Sequence, residues 1–313
     1  MENPKTGGSK QQLHIGKPKW LKTEIPTGSQ YFRAKRELRS KGLYTVCEEA
    51  KCPNIGECWA DFTATFMILG DTCTRACRFC NVKTGNPEGW LDQEEPEKTA
   101  ESVRIMDLAY AVITMVDRDD LADFGADHVV KVLQAVKVVS PKTKLEFLGG
   151  DFAGQKEPLQ YLIDNGGLHV FAHNLETVER LTPRVRDARA GYRQSLEVLG
   201  RAKRMANPSL LTKSALMLGL GEEEAEVYQV MKDLRDHEVD ILTIGQYMRP
   251  TKRHLSIKDY IHPDQFAAYG EAALEMGFKA VASGPLVRSS YKAHKFFEEA
   301  QSRIAAGADV EQS

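Results

Sequence analysis

Asp71-Thr-Cys73-Thr-Arg-Ala-Cys77-Arg-Phe-Cys80 lies just after the apolar run Ala-Thr-Phe-Met-Ile-Leu at residues 64–69. The run is short, bounded by Gly70, and rich in aliphatic and β-branched side chains. It reads as a buried strand. It delivers Cys73 just past its C-terminal end, where α/β barrels carry their chemistry. The three cysteines are separated by three and then two residues. Thiolates are soft ligands, and close spacing favours zinc or an iron–sulfur cluster. A tetrahedral zinc needs a fourth protein ligand, and no further Cys or His is close by in sequence. Three thiolates from one loop suit a cubane in which one iron stays open.

A second triplet lies upstream, Cys47, Cys52 and Cys58, separated by four and five residues, with Pro53 and Gly56 predicting a tight loop. All six cysteines fall between positions 47 and 80. A disulfide framework spreads its bridges and belongs to oxidising compartments, so clustered thiols argue for metal in a reducing one. The net charge of −2 gives no general attraction to nucleic acid or membrane. No apolar run approaches the roughly 20 residues that span a bilayer, and the N-terminus lacks a signal-like apolar core. These features predict a soluble, cytoplasmic protein.

Beyond the cysteines, apolar strand patterns alternate with amphipathic helical ones. Strands are expected at 64–69, 111–115, 144–148, 168–172, 214–218, 240–244 and 279–282. Helices are expected at 99–108, 126–139, 191–205, 222–235 and 263–276, with a charged helix at 31–43. Regular alternation means a parallel sheet. About six β/α units fit, which predicts an α/β fold of partial (β/α)6 TIM type. N- and C-terminal extensions would cover its open face. The expected organisation is 1–62, an extension with the upstream cysteine loop; 63–283, the barrel; and 284–313, a C-terminal extension. Residues 1–30 read as an arm over the barrel or a disordered lead.

The Cys73/Cys77/Cys80 spacing, with Phe79 before the last cysteine, resembles the radical S-adenosylmethionine (SAM) signature. The longer set of motifs resembles the lipoyl synthase family. These are Cys47–Cys58, residues 64–84, 112–127, 170–183 and 240–254, and the C-terminal RSSY, Arg288-Ser289-Ser290-Tyr291. The resemblance implies insertion of two sulfur atoms at C6 and C8 of a protein-bound octanoyl-lysine. It implies one four-iron four-sulfur cluster on Cys73, Cys77 and Cys80 that binds SAM. A second, on Cys47, Cys52 and Cys58, would donate sulfur, with a serine of RSSY, preferably Ser290, as fourth ligand. An alkoxide is a poorer match to iron than a thiolate and is released by protonation. Taken alone, Ser289 and Ser290 would read as the N-cap of a helix from 291 to 300. The implied partners are octanoylated lipoyl-carrier domains or the glycine cleavage H protein, and a reductant such as flavodoxin or ferredoxin.

Other residues carry weaker signals. Asn174, Glu176 and Arg186 follow an expected strand and are candidates, with Phe79, for holding SAM; a helix cap and surface charges are the competing reading. Asp117, Arg118, Asp119 and Asp120 follow another strand and line either a site or a solvated loop. Arg249 is a candidate polar contact. His169 and His173 read as satisfied core histidines in preference to metal ligands. The run Arg184, Arg186, Arg189, Arg193, Arg201, Lys203 and Arg204 reads as a solvated helix face or a seat for an acidic carrier domain. Gly149-Gly150 stands where the family usually shows Thr-Pro, and Ala215 where it shows Gly, which puts local loop geometry in question.

Overall fold

The structure, a computed structural model, describes residues 17–21, 32, 35, 36, 54–206 and 208–311. Cys47 and Cys52, and most of the arm and of the expected 31–43 helix, lie outside the described residues. Seven strands form one sheet: β1 (Thr63–Ile68), β2 (Tyr110–Met115), β3 (Lys144–Leu148), β4 (Val170–Ala172), β5 (Leu211–Leu218), β6 (Ile241–Gln246) and β7 (Ala280–Ser283). They pair in chain order, every pair parallel, and β1 and β7 end the order without pairing with each other. A partial barrel is therefore left open at one seam.

Six helices make the crossovers: α2 (Glu95–Met106), α3 (Ala126–Val139), α4 (Lys156–Gly166), α5 (Tyr192–Met205), α6 (Glu224–Asp236) and α7 (Pro263–Glu275). Two further helices flank the barrel, α1 (Ile55–Ala60) before it and α8 (Ala293–Glu311) after it. Helix α4 has no counterpart in the sequence reading. Pro158 near its start and only two buried leucines, Leu159 and Leu162, leave a faint apolar stripe. It ends at left-handed Gly167, which a glycine tolerates without a Cβ penalty.

The expected tight loop at 47–58 is corrected over its described end. Residues 55–60 are helical, because Ile55, Cys58 and Trp59 at i, i+3 and i+4 bury one face. The C-terminal helix also starts later than expected, at Ala293, so Ser290 does not cap it.

Alternation along the strands builds two cores. Ala111, Ile113, Leu145, Phe147, Phe171, Leu242 and Ile244 face the crossover helices. Tyr110, Val112, Val170, Leu211, Ile241 and Ala280 face inward and pack on Ala293, Phe297 and Ala300 of α8. Most of these inward residues open their strands, so α8 closes the N-terminal end of the barrel. The Phe297 ring lies 5.7 Å from Tyr110 and 6.1 Å from His169. Inside, Lys213 Nζ donates to Glu146 at 2.8 and 3.0 Å, and the Tyr110 hydroxyl donates to the same carboxylate at 2.8 Å. With the lower end filled, the C-terminal strand ends remain for chemistry.

Candidate active site

Past β1 the chain turns through Leu69 and Gly70, both at positive φ. Their N–H groups donate to the Glu95 carboxylate at 2.7 and 3.2 Å, which aims the following loop across the mouth of the barrel. The loop carries Cys73, Cys77 and Cys80. Each sulfur accepts a main-chain N–H: from Arg75 to Cys73 at 3.4 Å, from Asp187 to Cys77 at 3.3 Å, and from Val82 to Cys80 at 3.5 Å. Such donors stabilise thiolate and tune a bound cluster. Burial pushes all three thiols up, Cys77 to about 12, so without a metal they stay protonated. Among the described residues no three His, Cys, Asp or Glu side chains gather around a single metal position. Three soft thiolates on one loop, each with a main-chain N–H donor, are a donor set that fits a three-cysteine cluster.

Arg75, between the first two cysteines, is the residue that sequence reading missed. Its side chain is 2% exposed. It reaches Asp119 at 2.8 Å and Asp151 at 2.7 Å, with Asp117 at 3.7 Å. Burial opposes its charge, but the bonds to Asp119 and Asp151 hold its pKa well above the usual arginine value. Burial also opposes ionisation of Asp119 and Asp151, and Arg75 overrides it in both. Asp117 lacks so close a bond, and burial raises it to about 6. Thr74 donates to Asp119 at 2.6 Å, Ala76 N–H to Asp187 at 2.8 Å, and Arg78 N–H to Val185 O at 2.9 Å. Thus segments after β2, β3 and β4 grip one loop. The only sign in sequence was an arginine inside the cysteine motif and aspartates at the ends of expected strands.

Asn174, Glu176 and Arg186 come together beyond β4. Asn174 donates to Glu176 at 3.0 Å, while its own Oδ1 is buried with no partner among the described residues. Glu176 takes a left-handed φ of 68°, costly for a non-glycine residue, and pairs with Leu216 of β5. Burial raises its carboxyl above the ordinary value, opposed by Asn174 and Arg186. Arg186 is buried and donates to Ser195 Oγ at 2.8 Å. A buried orphan acceptor, a strained carboxylate and a cation beside the cysteine loop suit a zwitterionic ligand such as SAM. Phe79 is partly buried and packs on the core.

On the β1 edge, Cys58 meets the far end of the chain. A small cavity is lined by Asn54, Ile55, Cys58, Thr63, Thr65, Arg288, Ser290 and Tyr291. Asn54 donates to Leu286 O at 2.7 Å, Tyr291 OH to Glu57 at 2.9 Å, and Lys292 reaches Glu57 at 3.2 Å. Three contacts across more than 220 residues place Ser290 beside Cys58. Ser289 does not line this cavity.

The remaining candidates have partners within the chain. Arg118 is buried and forks onto Asp120 at 2.8 Å. Arg249 donates through Nε to the His254 carbonyl at 2.9 Å and through one Nη to the Lys252 carbonyl. His173 is buried between Gly149 O and Ser195 Oγ, both at 2.8 Å, and His169 Nδ1 accepts from Leu145 N–H at 3.1 Å. The basic run is largely neutralised within the chain: Arg193 pairs with Glu179, Arg201 and Arg204 with Glu197, Lys203 with Asp240, and Arg189 with Asp187. At Gly150 a Cβ would collide with the Asp117 carboxylate, and at Gly149 with the Phe147 ring, so the pair lets the backbone close on the clamp. Ala215 is buried, and its carbonyl accepts from Glu176 N–H at 3.0 Å.

A seven-stranded parallel partial barrel with a three-cysteine loop at its mouth defines a radical SAM protein, and the sequence profile of that superfamily matches residues 67–234. Solved structures agree on the fold. Methylornithine synthase superposes with a TM-score of 0.50 at 13% identity, covering 81% of this chain and 78% of that one. Coproporphyrinogen III oxidase of Escherichia coli gives 0.52 at 12%, covering 76% and 60%. The profile of the lipoyl synthase N-terminal domain matches residues 3–52. The mitochondrial lipoyl synthase of Schizosaccharomyces pombe is 54% identical over 292 residues, 92% of this chain and 78% of that protein. Lipoyl synthase of Legionella pneumophila is 55% identical over 284 residues, 91% and 86%. The chain belongs to the lipoyl synthase family. No helix among the described residues is long and apolar enough to cross a membrane.

Proposed function

We propose that the two cysteine sites divide the work of a lipoyl synthase acting on octanoylated carrier proteins. Membership of the family carries the activity, a radical SAM sulfur insertion dependent on iron–sulfur clusters. The residue roles rest on one observation: Cys58 and Ser290 share a cavity on the sheet edge, apart from the Cys73–Cys80 loop. Cys73, Cys77 and Cys80 hold the SAM-binding cluster. Cys47, Cys52 and Cys58 hold the sulfur-donating one, with Ser290 as its fourth ligand. When bound, SAM and the clusters supply the hydrogen-abstracting radical and the sulfur, chemistry that no side-chain acid or base performs on a methylene.

The chain's own residues bind and aim. Arg75, Asp119 and Asp151 fix the loop; the three main-chain donors favour thiolate; Asn174, Glu176 and Arg186 face SAM's polar groups. Residues 1–62, 63–283 and 284–313 act as cysteine-bearing extension, barrel and serine-bearing extension. The carriers are lipoyl domains and the glycine cleavage H protein. The working compartment is the reducing cytoplasm, which keeps the thiols available to iron. The test is anaerobic incubation of the reconstituted protein with SAM, dithionite and an octanoyl-lysine peptide, followed by mass spectrometry. Gain of two sulfur atoms is expected. SAM cleavage without sulfur in the peptide would overturn the assignment of the second site.

A further inference from the structure

Exposed arginines on this protein usually hold a carboxylate: Arg104 pairs with Glu101, Arg180 with Glu226, Arg193 with Glu179 and Arg303 with Glu299. Arg78, Arg184, Lys252 and Arg253 are exposed, and none has a described carboxylate oxygen within 4.0 Å. The four are contiguous. Arg78 donates to Arg184 O at 3.5 Å, and Leu255 N–H donates to Arg78 O at 3.3 Å. Arg249 ties its own loop to the Lys252 and His254 carbonyls. His254 then reaches the Cys80 carbonyl at 2.9 Å. A carbonyl only accepts, so His254 Nε2 donates to it, while Nδ1 lies 2.8 Å from the Thr251 hydroxyl. Arg78 therefore sits on the loop that carries Cys73, Cys77 and Cys80, Arg184 is bonded to it, and the turn bearing Lys252 and Arg253 is tied to it through His254 and Leu255.

We propose that Arg78, Arg184, Lys252 and Arg253 form the docking face for a small acidic protein with a one-electron flavin or iron–sulfur centre. This rests on the assignment of a cluster to Cys73, Cys77 and Cys80. Unpaired surface cations lower nothing in the fold's own energy, but they steer an acidic partner and set its orientation. Electron-transfer encounters are weak and small, so four charges beside the acceptor suffice where a large apolar patch is absent. One electron passes per productive encounter: the donor centre is oxidised by one, the cluster is reduced by one, and no bond or proton moves. The octanoylated carrier is the less favoured occupant, because its chain must also reach Cys58 and Ser290 on the β1 edge, whereas three of the four cations, Arg184, Lys252 and Arg253, follow β4 and β6.

The test uses anaerobic, cluster-loaded protein and the variant Arg184→Glu/Lys252→Glu/Arg253→Glu, with flavodoxin as probe. Calorimetry measures binding of oxidised flavodoxin at low and high salt, and stopped-flow absorbance measures cluster reduction by its hydroquinone. The expected result is salt-sensitive binding to wild type, weakened about tenfold or more by charge reversal. Reduction should slow in parallel, while dithionite-driven SAM cleavage stays unchanged. Unaltered flavodoxin binding in the variant would overturn the proposal. So would unaltered flavodoxin binding with a raised KM for octanoylated H protein under dithionite, which gives the face to the carrier. If charge reversal lowers iron content, the Gln variants at the same positions replace it. Wild type unable to cleave SAM with dithionite would overturn the cluster assignment, and the docking face with it.

Discussion

Replacing Arg75 by Met removes one cation and leaves its carboxylates in place. The Asp151 side chain is fully buried, and Asp119 is 16% exposed. Breaking a buried pair by deleting one partner typically costs about 3–5 kcal/mol, since the orphaned charge cannot return to water. Against a total stability of about 5–15 kcal/mol, that is a large fraction. At about 2–4 °C per kcal/mol, Tm should fall by roughly 10 °C. The pH dependence supplies an internal check. In wild type, Asp119 and Asp151 titrate below their unfolded value of 3.8, so their contribution is present above that pH and lost below it. Without Arg75, burial pushes both upward, opposed by Thr74 and Arg189 at Asp119 and by Gln194 at Asp151, and Asp117, already at about 6, rises further. A carboxyl raised by folding destabilises the protein as pH climbs through and above its unfolded pKa. Arg75→Met should therefore suffer most above about pH 6 and recover toward pH 5. Arg75→Lys supplies charge without the fork and should recover only part of the loss. Urea denaturation of the cluster-loaded protein at about pH 5 and about pH 8 measures both effects. A loss below about 1 kcal/mol, with an unchanged pH slope, would refute the clamp.

His173 is buried and its pKa is depressed to about 4, by burial first and then by Arg186. The unfolded chain takes up its proton first, so stability should fall by about 3 kcal/mol between pH 6.5 and pH 4; His173→Asn should flatten that slope in denaturation midpoints. Reconstituted protein should contain about eight irons, and Cys77→Ala about half as many with no SAM cleavage; stoichiometric zinc in place of iron would count against both sites. Ser290→Ala should spare SAM cleavage and abolish sulfur insertion. Ser290→Cys should retain iron yet turn over slowly, and full activity in both would remove Ser290 from the second site.

Local chemistry made the barrel and its cysteine loop legible. Strand runs such as 64–69 and 111–115 are apolar because parallel strands are covered on both faces, and residues that bind one cluster through a short loop must be neighbours in sequence. Helix α4 escaped, because two buried leucines behind a proline give too little periodicity. The helical setting of Cys58 escaped because Pro53 and Gly56 signal a turn, while burial of Ile55, Cys58 and Trp59 decides otherwise. The family resemblance pointed to Ser290 before any geometry did. What brings it to Cys58 is the docking of residues 286–292 on α1 through Asn54 and Glu57, contacts with no local signature. The Arg75 clamp was equally hidden, since its partners Asp119 and Asp151 come from different strand ends and only the pairing of those strands in the sheet sets them against one guanidinium. Sequence determines what one stretch must be through its own periodicity and ligand chemistry. Which distant charges neutralise one another, and which exposed ones are left over, is decided by tertiary packing, because Coulomb energy depends on separation in space and not along the chain.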